Sequence, residues 1–194
     1  MPRRVDSAER RIAITSAAVR ILARGGSSAL TLRSLAEELD GSITLVTHFF
    51  SNRNDLFAAI VDDMVASYDA ELAELERGDD APGRLRRLLQ WMLPLTAEDI
   101  EREAGRIALI SMRDDANIDH FFVANERRAR ELLASHLETL LPQAKIPHAV
   151  DVLRSAVNGI VLSTVEHPDI WSPRRQLDVI ETAIQSLEIS HVPA

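Results

Sequence analysis

Residues 31–56 read TLRSLAEELDGSITLVTHFFSNRNDL. Thr31 is a side-chain acceptor suited to starting a helix. Leu32, Leu35, Ala36 and Leu39 follow at i, i+3, i+4 and i+7, the apolar stripe of a short amphipathic helix. Asp40-Gly41 predicts a turn, because both residue types tolerate left-handed backbone. Ser42 caps a second short helix that runs to about Phe50. Asn52, with Asp55 three positions on, opens a further helix in a box-like arrangement. A short helix, a tight turn, a second short helix and a capped third is the layout of a helix-turn-helix DNA reader.

The second short helix is too brief to persist alone, so packing must hold it. Val46 and Phe50 are its inward anchors, set against Leu35 and Leu39 and against Ile21 of the preceding helix. Ile43, Thr44, Thr47 and His48 are left on the outer side, with Leu45 and Phe49 at the edges. Thr and His can donate to phosphates or base edges, while Ile and the Thr methyl suit a thymine methyl. Backbone N–H groups and positive dipole ends near Thr31 and Arg33, and again near Asn52 and Arg53, suit phosphates. Arg3 and Arg4 add two charges ahead of them.

Composition bounds the rest. The chain has 194 residues, 46% hydrophobic and 27% charged, enough for a real core and unlike a disordered chain. There is no cysteine, which removes disulfides, thiolate metal sites and a Cys nucleophile. The six histidines show no metal-ligand spacing, so neither a metal nor a cofactor is expected. No apolar run approaches the roughly 20 residues of a membrane span, and a cytoplasmic protein that does not engage a membrane is expected. Nucleophile-elbow, phosphate-loop and HExxH patterns are absent, so no enzymatic activity is expected. The net charge of −8 divides unevenly. Residues 1–57 carry eight Arg against six acidic residues, and residues 58–194 carry fourteen Lys/Arg against twenty-four. A mildly basic end on an acidic body suits a protein that offers one face to a polyanion.

Helical periodicity dominates the whole chain, and the expected fold is all-α with about nine helices. Residues 1–57 form the reading domain and residues 58–194 a helical body. The first helix spans about 7–24, capped by Asp6 with Glu9 and ended by Gly25-Gly26. A long helix over about 53–76 joins the two parts. Five more follow over about 82–93, 97–113 (capped by Thr96 with Asp99), 117–141, 147–166 and 173–188.

The segment from about residue 10 to 57 resembles the TetR family of transcriptional regulators. The resemblance rests on Ala18, Gly25/Gly26, Thr31, Leu35-Ala36, Ser42, Val46-Thr47-His48, Phe50, Arg53 and Leu56. VTHFFSNRNDL is similar to the family's VTHYF-type signature, with Phe49 for Tyr and Arg53 for Lys. The body, with Asn125-Glu126-Arg127-Arg128 followed by Leu132, Leu137, Leu140-Leu141 and Pro142, is loosely similar to BetI-like members. The resemblance implies a homodimer that binds a double-stranded operator and is released by a small-molecule effector, most often as a repressor. The DNA-facing positions it implies are Thr31, Arg33, Ser42, Ile43, Thr44, Thr47, His48, Phe49 and Arg53. Three departures stand out: Asp40-Gly41 where the family usually has Gly-Val, and Ile43 and Thr44 where Lys/Arg and Gly are frequent. They weaken non-specific phosphate attraction. They also leave an alternative reading, a protein-interaction module that keeps the fold without specific DNA binding.

In the body, the large side chains Tyr68, Trp91, Met112, Phe121 and Phe122 are candidates to line an effector pocket, with ordinary core packing as the competing role. Ala156, Gly159 and Ser163 give the eighth helix a small-residue strip flanked by Leu153, Val157 and Ile160. Together with Leu177, Ile180, Ile184 and Leu187 of the last helix they are candidates for a four-helix dimer interface, or else for packing inside one subunit.

Overall fold

Four caps read from the sequence, Thr31, Ser42, Asn52 and Thr96, start helices where expected. In the computed structural model, which describes the backbone of residues 3–75 and 80–189 and their side chains except 3–8, 53, 73 and 74, no described residue lies in a strand. The helices are α1 (Arg3–Ala29), α2 (Leu32–Glu38), α3 (Ile43–Phe49), α4 (Arg53–Leu75), α5 (Ala81–Trp91), α6 (Ala97–Leu109), α7 (Ala116–Leu137), α8 (Ile146–Glu166) and α9 (Pro173–Ser186). Single 3-10 turns follow α6 and precede α8. The all-α expectation and its N-terminal helix-turn-helix are borne out. No helix among the described residues is long and apolar enough to cross a membrane.

One correction concerns α1. The helix already runs from Arg3, so Asp6 lies inside it and is not its cap. Its other end follows the sequence: Gly26 breaks the helix with φ 66 and ψ −168, a left-handed conformation that a side chain would strain.

The chain forms two compact units. The first comprises residues 1–70 and 101–122. Its interior collects Ile14, Ala17, Ala18, Ile21 and Leu22 of α1, Leu35 and Ala36 of α2, Val46 of α3 and Phe50. Leu56, Phe57, Ile60 and Met64 of α4 are buried as well. The segment 101–122 approaches α1 closely. A Cβ added at Gly105 would stand 2.8 Å from the Val19 carbonyl oxygen, so only glycine allows that approach. Ser111 donates to Ser27 at 3.2 Å in the same region.

The second unit comprises residues 71–100 and 123–194. Leu85, Leu88 and Leu89 of α5, Leu133 and Leu137 of α7, and the inward residues of α8 and α9 are buried. Charged pairs tie its helices together. Arg86 of α5 donates to both carboxylate oxygens of Glu181 on α9, each at 3.0 Å. Arg154 of α8 donates to Glu126 of α7 at 2.9 Å, and Arg130 of α7 pairs with Asp151 of α8. The Gln176 amide donates to the Pro94 and Trp171 carbonyls, at 3.0 and 3.1 Å, and stitches the start of α9 to the end of α5. Thr96 and Asp99 cap α6 reciprocally, as their spacing predicts.

Candidate nucleic-acid interface

Three short pieces of chain build the reading head, each locked by its own polar contacts. Thr31 and Ser34 cap α2 reciprocally: the Ser34 N–H donates to Thr31 Oγ1 at 3.0 Å and the Thr31 N–H to Ser34 Oγ at 2.9 Å. The turn after α2 is a Schellman motif. The Gly41 N–H reaches the Ala36 carbonyl at 2.9 Å, and the Asp40 N–H reaches Glu37 at 3.3 Å. Asp40 itself takes the left-handed conformation, φ 48. Gly41 does not; it is small for another reason, since a Cβ there would stand 3.0 Å from a Leu45 methyl. Ser42 caps α3 through the Leu45 N–H, and Asn52 caps α4 through the Asp55 N–H at 2.9 Å.

Side-chain burial then orients α3. Val46 and Phe50 are buried, with α2 packed against both α1 and α3. Leu45 and Phe49 are half-buried edges, and Ser42, Ile43, Thr44, Thr47 and His48 are exposed. The His48 ring meets Phe49 edge-on, with centroids 5.3 Å apart. The Arg11 guanidinium stands 5.9 Å from the Phe50 ring on the inner side. Thr31 and Arg33 are exposed at the start of α2, and Arg33 pairs with Glu37 one turn on. Arg53 opens α4, and its side chain lies outside the described residues. Leu32 departs from the expected stripe: it is 44% exposed, because the stripe of a seven-residue helix only partly faces α1 and α3.

Two features of this head were not legible in the sequence. The first is a cavity of about 500 Å³. Leu30, Leu32, Leu35, Phe50 and Leu56 line it, with Ser27, Ser28, Thr31, Thr47, Ser51 and Asn52 supplying hydroxyl and amide groups. The serines that contribute to it fall in loops and helix ends, where periodicity says nothing. The second is a carboxylate clamp. Arg20 and Arg24 of α1 donate to the two oxygens of Glu38 on α2, at 2.9 and 2.5 Å. Those two hydrogen bonds hold the Glu38 carboxyl below its ordinary range.

The candidate pocket residues do not share one unit. Tyr68, Met112 and Phe121 are buried in the first, with Phe122 half-buried beside Phe121. The Arg102 guanidinium stands over Tyr68 and that of Arg113 over Phe122, at 5.9 and 5.4 Å from the ring centres. Trp91 is in the second unit, where its indole N–H donates to Glu71 at 2.7 Å.

Among the candidate interface residues, Leu153, Val157, Ile160, Ile180 and Ile184 are buried within the subunit, where α8 packs on α9. Ala156, Ser163, Leu177 and Leu187 are half-buried, and Gly159 is exposed with no atom near where its Cβ would be. Ser155 and Leu162 are exposed on α8 with Gly159, at i, i+7 and i+4, and Val179 and Thr182 are exposed on α9.

The comparison with known proteins agrees with this geometry. Residues 14–60 match the model of the bacterial regulatory proteins of the tetR family. No curated protein matches the sequence significantly. Among solved structures, a transcriptional regulator from Rhodococcus sp. Rha1 superposes with a TM-score of 0.81 at 21% identity, over 91% of this chain and 95% of the other. A candidate regulator from Saccharomonospora viridis, in complex with choline, gives 0.81 at 19%, over 92% and 96%. A TetR transcription regulator from Haloarcula marismortui gives 0.73 at 21%, over 93% and 97%. At such identities the likeness is one of fold, and the matched residues 14–60 contain the whole helix-turn-helix described above. Residues 14–60 thus match the tetR family of bacterial regulatory proteins, and the chain as a whole shares the fold of solved transcriptional regulators.

Proposed function

We propose that this protein is a ligand-responsive repressor that binds a near-palindromic operator as a homodimer and leaves it when a small-molecule effector binds. One observation carries the reading: α3 is pinned through buried Val46 and Phe50, while Ile43, Thr44, Thr47 and His48 stand exposed on its outer side. An exposed, side-chain-capped helix following a tight turn is what the major groove accepts. In this reading residues 1–57 are the DNA-reading part and residues 58–194 the body. Thr31, Arg33, Ser42, Thr44, Thr47, His48, Phe49 and Arg53 join Ile43 in facing the duplex. The cavity beside Thr31 and Asn52 sets serine hydroxyls among its leucines, and those hydroxyls support a sugar–phosphate segment seated there.

The outward strip of α8 and α9 is the proposed two-fold interface. Its small residues permit close helix approach, and Leu162, at 47% exposure, supplies apolar area that a partner would cover. The choline held by the Saccharomonospora viridis structure supports a small molecule as the effector class. Tyr68, Phe121 and Phe122 are the aromatic groups we assign to it in the first unit.

Selection of bound duplexes from a random pool, using the full chain, tests the reading. The expected product is a near-palindrome whose half-sites lie about one DNA turn apart, roughly 34–36 Å, with affinity falling steeply as salt rises. A pool that never departs from random sequence would overturn it.

A further inference from the structure

The reading helix, ITLVTHF over residues 43–49, contains no Arg, Lys, Asn, Gln, Asp or Glu. Those are the side chains that make the paired or charged hydrogen bonds by which proteins distinguish guanine, adenine and cytosine in the major groove. Polar readout from α3 is therefore left to Thr44, Thr47 and His48. Thr47 is already committed: its hydroxyl turns back along the helix toward the Ile43 and Thr44 carbonyls, at 3.2 and 3.3 Å. A hydroxyl that donates to its own helix has no proton left to donate outward, and the methyl is the apolar group this exposed residue offers.

Ile43 lies one turn away on the same face, at i and i+4, and is 48% exposed. A single exposed isoleucine on a protein surface needs no explanation. This one differs in its setting. It opens the helix of a DNA-reading motif, beside a second methyl and with no charged side chain on that helix. In the major groove the one apolar base feature that distinguishes base pairs is the C5 methyl of thymine.

We propose that α3 reads thymine methyl groups: Ile43 and the Thr47 methyl pack against the C5 methyls of one or two thymines in each half-site. Thr44 and His48 supply the polar contacts around them. The inference rests on the DNA-binding reading above and adds the base that is recognised and the atoms that recognise it.

The test uses the full-length protein and the duplex recovered from random-pool selection. Each thymine is replaced in turn by uracil, which removes only the methyl and keeps base pairing. One or two positions per half-site are expected to lose about four-fold in affinity on substitution, the size of one buried methyl group. Ile43→Ala and Thr47→Ser should each lower affinity for the thymine duplex, and one or both should abolish the discrimination against uracil at a given position. Thr47→Ser keeps the hydroxyl and removes the methyl, so it separates apolar contact from hydrogen bonding. Replacing a sensitive thymine–adenine pair with cytosine–guanine should weaken binding, and 5-methylcytosine there should recover part of the loss. Thermal melts of both variants should match the parent, since both side chains are exposed. Sequence-specific binding that is indifferent to uracil at every position would overturn this inference alone. So would uracil sensitivity that persists undiminished in both variants. A pool with no sequence preference would instead overturn the proposed function, and this inference with it.

Discussion

Asp40 stands where the turn after α2 demands a left-handed residue, the position a glycine most often fills. Asp tolerates that conformation better than most side chains, but it places a carboxylate three residues before Ile43, where the reading helix begins. Asp40→Asn keeps the tolerance and removes the charge. The variant should bind duplex DNA several-fold more tightly at low salt, with the gain shrinking as salt screens it; titrations at two salt concentrations check this, and unchanged affinity would place Asp40 away from the phosphates. Glu38 makes a different prediction. The hydrogen bonds from Arg20 and Arg24 hold its carboxyl below the ordinary value of 4.5. A carboxyl lowered in the folded state stabilises the fold at pH above its ordinary value and loses that contribution as pH falls through the lowered one. Denaturant unfolding should therefore show Glu38→Gln less stable than the parent near neutral pH, with the gap closing below the ordinary value. A gap that stays constant with pH would remove the arginine pair as its cause.

At the scale of the helices, one glycine decides how closely two of them meet. A methyl at Gly105 would fall 2.7 Å from Val19 Cγ1 and 2.8 Å from the Val19 carbonyl oxygen. The side chain could rotate away, but the backbone oxygen of α1 cannot move without shifting its helix. Gly105→Ala should cost about 1–3 kcal/mol by overpacking, despite alanine's better helix propensity. Its denaturation midpoint measures this, and a midpoint at or above the parent's would mean that α6 and α1 are not held in this contact. The same distinction between local and long-range structure explains what the sequence disclosed. Caps at Thr31, Ser42, Asn52 and Thr96 were legible because a cap is settled within four residues. The inward placing of Val46 and Phe50 followed from the 3.6-residue period. The Gly105–Val19 approach, the Glu38 clamp and the cavity beside Ser27, Ser51 and Asn52 join residues far apart in sequence, and no window of the chain contains them. Leu32 matched the period and is nonetheless exposed, since a stripe says which residues share a face and not how far the neighbouring helix covers it.

For the molecule as a whole, the proposed dimer turns on a face that the single chain leaves open. Leu153, Val157, Ile160, Ile180 and Ile184 are already buried inside the subunit. An isologous contact through α8 and α9 is then left to their exposed and half-buried residues, Gly159 and Leu162 among them. Gly159 gives the cleanest access to it. Nothing lies within 4 Å of where its Cβ would be, so a side chain there disturbs no intrachain packing. It also sits inside a helix where any ordinary residue is a better helix former than glycine. Gly159→Arg should therefore fold with unchanged helical content yet sediment as a monomer, because a charged side chain would separate the two strips. Its DNA binding follows from the same geometry. A monomer carries one reading head, so it engages one half-site and neutralises about half as many phosphates. The salt dependence should fall to about half that of the dimer. Affinity should fall by about a hundred-fold or more, since the second head no longer binds at the high effective concentration the dimer confers. Sedimentation velocity and a salt titration on the selected operator measure both effects. A Gly159→Arg protein that remains a dimer would move the interface off α8 and α9; one that is monomeric but keeps the parent's affinity and salt slope would show that a single reading head is the unit that binds.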